Sequence, residues 1–169
     1  VLLDVLANLY EEVDRRANEL VHIHSGRLKC GFGCCSCCVD ELTVFEIEAE
    51  NIKKHYKELL ADGKPGPEGA CAFLDRRGGC RIYAHRPYVC RTQGLPLRWM
   101  EEIDGDGDLV EMRDICTLND RGERVETLSV DFCWTIGPVE EQLVRLQTDL
   151  GDQLGRVFLR SLFCRKVCA

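Results

Sequence analysis

Residues 30–38 read Cys-Gly-Phe-Gly-Cys-Cys-Ser-Cys-Cys, five thiols in nine positions. A hydrophobic core has no use for such a run, and adjacent cysteines cannot bridge each other without strain, so a disulfide reading is awkward. Cys34-x-x-Cys37 and Cys35-x-x-Cys38 are two interleaved pairs at the spacing of zinc knuckles, with glycines where the backbone must turn sharply. Deprotonated sulfur is a soft ligand that suits zinc, iron–sulfur clusters and cuprous copper. Four thiolates around one zinc ion close the site and make it structural, whereas catalysis needs an open position.

A second group of thiols follows at Cys71, Cys80 and Cys90, in a stretch that also carries Arg76, Arg77, Arg81, Arg86, Arg91 and Arg98. Clustered thiolates need compensating charge, and some of these arginines are candidates to balance them or to donate hydrogen bonds to sulfur. The rival readings are an anion-binding patch or a solvated basic face. His22 and His24 stand beside the cysteine run and His85 lies between Cys80 and Cys90. With enough thiols present, all three read as surface or supporting residues rather than ligands. Cys90 with His85 is the nearest pairing for nucleophilic catalysis, but no third orienting group is identifiable.

These residues must be positioned by flanking elements. Leu2, Leu6, Leu9, Val13, Ala17 and Leu20 step by three and four, which predicts an amphipathic helix over residues 2–24 leading directly into the cysteine run. Thr43 and Glu46 fit a capping box, and Phe45, Ala49, Ile52, Tyr56 and Leu59 line a second helix over 43–61. Asp62 to Pro67 stops it. Ala72-Phe73-Leu74 and Arg81-Ile82-Tyr83 are expected to pair as a small hairpin across Arg77-Gly78-Gly79. A second hairpin joins Leu95–Trp99 to Val110 and Met112. Its acidic turn, Asp104 to Asp108, lacks the glycine and the terminal glutamate of a calcium loop and reads as a solvated turn. Pro138 suits the start of a third helix over 139–162, with Leu143, Leu146, Leu150, Leu154 and Val157 in step. Tyr83 and Trp99 are expected in the core.

The expected fold is α+β: a mainly helical single domain, residues 1–169, with small β-hairpins and a cysteine-rich metal-binding lobe at 30–119. Twelve cysteines in 169 residues fit either an oxidising compartment with disulfides or a reducing one with thiolates. The clustering and the helical core pattern favour the reducing case, hence a cytoplasmic location. A net charge of −7 argues against nucleic-acid binding through a basic face. The apolar N-terminal stretch lacks a basic flank and does not read as a signal peptide, and no run is long enough for a membrane span.

The order Cys30-x3-Cys34-x2-Cys37-Cys38, Cys71-Ala-Phe-Leu, Cys80-Arg-Ile-Tyr, Arg86-Pro-x2-Cys90-Arg-Thr, Gly94-Leu-Pro-Leu and Cys116-Thr-Leu-Asn119 resembles the YkgJ-type cysteine-cluster family, described as a zinc- or iron-chelating domain. The resemblance covers residues 30–119. It implies eight ligand candidates: Cys30, Cys34, Cys37, Cys38, Cys71, Cys80, Cys90 and Cys116. Eight thiolates suffice for two metal ions, or for one cluster plus one ion. The resemblance implies metal ions as partners and assigns no established reaction to most members. Larger relatives that methylate flagellin lysines carry a similar cluster of the iron–sulfur type, but this chain shows no glycine-rich loop for a methyl donor. Cys35 is an extra thiol in the first motif, which leaves the choice between Cys34 and Cys35 open. Gln93 stands where relatives often carry histidine. Cys133, Cys164 and Cys168 lie outside the pattern. Cys133 reads as a buried apolar residue, and the other two as a terminal clamp or a frayed tail.

Overall fold

The first helix obeys its sequence. α1 (Leu2–Ile23) buries Leu6, Tyr10, Val13, Ala17 and Leu20 along one stripe and ends at His24, whose backbone N–H returns to the Leu20 carbonyl. This computed structural model describes residues 1–103, 107–148 and 155–163. Five α-helices and five strands in two small sheets occur among them, an α+β arrangement.

The second helix departs from expectation at both ends. Residues Thr43–Phe45 form strand β1, so the helix α2 begins at Glu46 and runs to His55. The capping role therefore shifts from Thr43 and Glu46 to Glu48, whose Oε2 accepts the Phe45 N–H at 3.1 Å. Gln147 meets another unpaired first-turn donor, taking the Glu46 N–H on Oε1 at 2.8 Å. The helical path then breaks at Tyr56 (φ −127°, ψ 34°) and resumes as α3 (Lys57–Asp62).

The third helix is shorter than the periodicity implied. α5 starts at Pro138 as expected and its described span ends at Thr148. Val157, expected on that helix, instead lies in a strand, Arg156–Phe158, antiparallel to β1 with Val157 opposite Val44. Cross-strand pairing and burial of Val44 outweigh a helical pattern that Gly151 and Gly155 already weakened. Leu150 and Leu154 lie outside the described residues. The chain then turns through a 3₁₀ segment, Leu159–Phe163, which packs Leu159 and Phe163 into the core.

The expected first hairpin is reduced to a tight loop held by one bridge between Leu74 and Cys80, with the Arg81 N–H donating to the Phe73 carbonyl at 2.9 Å. Residues Tyr83–His85 make a 3₁₀ turn, and a short α4 (Tyr88–Arg91) follows. Tyr83 is 64% exposed, with Arg86 over its ring at 4.3 Å, so it is not a core residue. Trp99 is half-buried. The second hairpin forms as expected: β2 (Leu97–Glu102) pairs antiparallel with β3 (Leu109–Asp114), and β4 (Trp134–Thr135) adds in parallel on the far side of β2. Asp104 to Asp106 of its turn lie outside the described residues.

Two apolar clusters share α2 as their wall. One face sends Ile47 towards α1, Tyr88, Leu95, Trp134 and Leu143. The other sends Ala49 and Ile52 towards Cys71, Ala72, Phe73, Ile82, Leu159 and Phe163. Each large side chain buried there is worth about 1.5–3 kcal/mol of transfer free energy. No helix is long and apolar enough to cross a membrane among the described residues.

Candidate metal centre

The cysteine run leaves α1 through a buried His24, whose ring donates to the Phe132 carbonyl at 2.7 Å. Two short turns then fold it, Cys34 N–H to Gly31 O at 3.0 Å and Cys38 N–H to Cys35 O at 2.9 Å. The Cys71 N–H donates to the Cys38 carbonyl at 2.8 Å, and Val39 bridges Ala70, so the first and second thiol segments are joined by backbone. Arg160 clamps the junction. It pairs with Asp40 and donates to the carbonyls of Gly66, Pro67 and Ala70 at 2.8–2.9 Å. Arg81 holds the same segment through the carbonyls of Lys64 and Ala72. Cys71 thereby sits buried in the α2-side core, beside half-buried Cys80.

The ten described cysteines are free thiols. Eight of them are linked by electrostatic coupling. Cys30 lies within electrostatic reach of Cys34, Cys116 and Cys37. Cys90 is within reach of Cys71, Cys80 and Cys37, and Cys38 within reach of Cys71 and Cys90. Cys37 and Cys38 are neighbours, and their interaction lowers the Cys37 pKa and raises that of Cys38. Cys37 acts electrostatically on both Cys30 and Cys90. All eight candidate thiols belong to this web. Extra Cys35 is half-buried in the same loop, while Cys164 and Cys168 lie outside the described residues.

Burial pushes up the thiols of Cys30, Cys71 and Cys80, and that of Cys90 to about 12. For Cys90 the neighbouring thiolates and the Glu48 carboxylate add to this. Sulfurs gathered in a dry site oppose one another's ionisation, and a cation reverses that sign. Among the described residues, no three His, Cys, Asp or Glu side chains stand together ready to hold an ion. A cation bound by such thiols would displace their protons, so its binding would depend on pH. The donor set fits a soft metal such as zinc or iron.

The arginines mostly serve the fold. Arg86 and Arg91 pair with Asp14 of α1, and Arg98 reaches Glu111 and Thr135. Arg81 and Arg86 still lower the pKa of Cys80 by their field, which is the charge balance expected of that segment. His85 is stacked on His55 with ring centroids 3.8 Å apart and is hydrogen-bonded to Tyr56. Cys133 is buried with Ile115, Val125 and Leu128, 3.8 Å from an Arg113 nitrogen. Two surface cavities of about 370 and 380 Å³ have no cysteine in their walls.

Glu48 is a supporting residue with no local signature in the sequence. It is buried on α2, and its Oε1 accepts the Tyr10 hydroxyl at 2.8 Å and the Tyr88 N–H at 2.7 Å. It thus fixes the start of the turn that carries Cys90.

A thiol-rich α+β chain of this construction is defined by its cysteine web rather than by a cleft. The family model described as "CxxCxxCC: Putative zinc- or iron-chelating domain" matches residues 29–117, and the chain belongs to that family. No curated protein and no solved structure matches it.

Proposed function

We propose that this protein chelates zinc or iron through the thiolates of Cys30, Cys34, Cys37, Cys38, Cys71, Cys80, Cys90 and Cys116. The observations that support this reading are the family match over residues 29–117 and the backbone link from Cys71 to Cys38, which joins two thiol segments distant in sequence. Cys30, Cys34 and Cys116 form one side; Cys38, Cys71, Cys80 and Cys90 form the other. The metal, in the role we propose, is structural. It replaces core in holding residues 30–119 against the helices, and its binding free energy is part of the folding free energy. We read residues 1–169 as one domain, mainly helical, supported by the wall that α2 provides to both apolar clusters. Free thiols at all ten described positions suit a reducing compartment such as the cytoplasm.

The unbroken web through Cys37 also suits a polynuclear iron–sulfur centre, the second reading. Elemental analysis and an absorption spectrum of anaerobically purified protein separate the two. Stoichiometric metal without colour indicates zinc, and brown protein with sulfide indicates a cluster. Cys37→Ser should lose metal from both sides of the web together. Unchanged metal content in that variant would contradict the ligand assignment.

A further inference from the structure

Cys30 is the most exposed of the proposed ligands, yet its sulfur is held by a buried side chain from a distant segment. Asn119 is fully buried and donates Nδ2–H to Cys30 Sγ at 3.3 Å. The same nitrogen donates its other hydrogen to the Gly94 carbonyl at 2.8 Å, and Oδ1 accepts the Lys29 N–H at 2.8 Å. These two backbone partners fix which end of the amide faces the sulfur. The Asn119 backbone is held as well, its N–H by the Cys116 carbonyl at 2.7 Å and its carbonyl by Arg27 Nε at 3.0 Å. The amide therefore cannot turn away from Cys30 without leaving buried groups unpaired.

Gly94 completes the cradle. Its φ is +90°, and a Cβ there would overlap Cys30 Sγ and stand 3.1 Å from Asn119 Nδ2. The space is kept free for a sulfur atom at one place. A packing role alone would leave Asn119 satisfied by Lys29 and Gly94; the second N–H aimed at sulfur goes beyond that. Asn119 lies past the end of the family match.

We propose that Asn119 is a positioning residue for the metal centre: its amide holds the Cys30 sulfur in place by an N–H···S hydrogen bond and tempers that sulfur's donation to the bound ion. This rests on Cys30 being a ligand, as proposed above. Hydrogen bonding to a ligand atom from outside the coordination sphere typically changes metal affinity by about 10- to 100-fold.

The full chain is loaded with Co²⁺, and Asn119→Asp, which keeps the shape and the acceptor but loses the donor, is compared with wild type. The expected result is Co²⁺ affinity weaker by about 10-fold or more and a sulfur-to-cobalt charge-transfer band moved to longer wavelength. In a Cys30→Ser background the same substitution should leave the band unmoved. A band and affinity unchanged by Asn119→Asp, or a shift that persists without the Cys30 sulfur, overturns the proposal. Should Asn119→Asp fail to fold, the wild-type chain loaded with ¹¹³Cd²⁺ gives the answer. One asparagine side-chain amide proton should then couple to cadmium, and absence of that coupling overturns the proposal. Uptake of neither ion refutes the chelation reading itself and this inference with it; uptake with no Asn119 effect refutes this inference alone.

Discussion

The two thiol segments are built in opposite ways. Residues 71–90 are held by the protein: Cys71, Ala72, Phe73 and Ile82 lie in an apolar cluster, and Arg81 and Arg160 pin the surrounding carbonyls. Residues 30–38 have no regular structure, expose Phe32 at 79%, and depend on two short turns, the Cys38–Cys71 link and the Asn119 bond to Cys30. One thiol segment is packed into the core, and the other is a loop held mainly by its own turns. In such an arrangement the ordered half sets the geometry, and the loose half lets an ion enter.

Stripping the metal with a chelator should break that contrast most visibly. Amide exchange should rise sharply in residues 30–38 and change little in 71–82, read by mass spectrometry. Equal loss of protection in both segments would show that the second half also needs the ion. Phe73→Ala attacks the prebuilt half. It should cost about 3–5 kcal/mol in denaturant unfolding, since Phe73 is fully buried. Metal content should fall with it. Arg160→Met should loosen the clamp on residues 66–70 with a smaller loss of stability than Phe73→Ala, measured the same way.

The smallest expected effect concerns pH. Burial raises the Glu48 pKa despite the donors from Tyr88, Tyr10 and Phe45. A raised carboxylate pKa means that the folded chain holds this proton more tightly than the unfolded chain. Its contribution is complete below the unfolded value of about 4.3 and is lost as pH rises through the folded value. Wild type should therefore gain stability relative to Glu48→Gln as pH falls through the folded value towards the unfolded one. A difference between the two that is flat with pH would show that Glu48 does not titrate this way.

Long-period features were legible in the sequence. The stripe of α1, the second hairpin and the start at Pro138 all follow from local pattern, and the cysteine run led to the family. Short features set by distant partners were not. The three-residue strand at Arg156–Phe158 exists through its pairing with Thr43–Phe45, and three residues carry no periodicity of their own. The break at Tyr56 likewise follows from tertiary contact, the hydroxyl reaching His85. Asn119 stood in the quoted motif with no role attached, because a bond from residue 119 to residue 30 leaves no local trace. Glu48 looked like an ordinary charged position on a helix until Tyr10 and Tyr88 were placed against it.

That same carboxylate reads α1 through Tyr10 and sets the turn two residues ahead of Cys90. One donor of the centre is thus surveyed from the helical pack, while Cys30 at the opposite margin is surveyed from the loop of Asn119 and Gly94. A shift of α1 against α2 would reach the Cys90 turn through a single buried carboxylate.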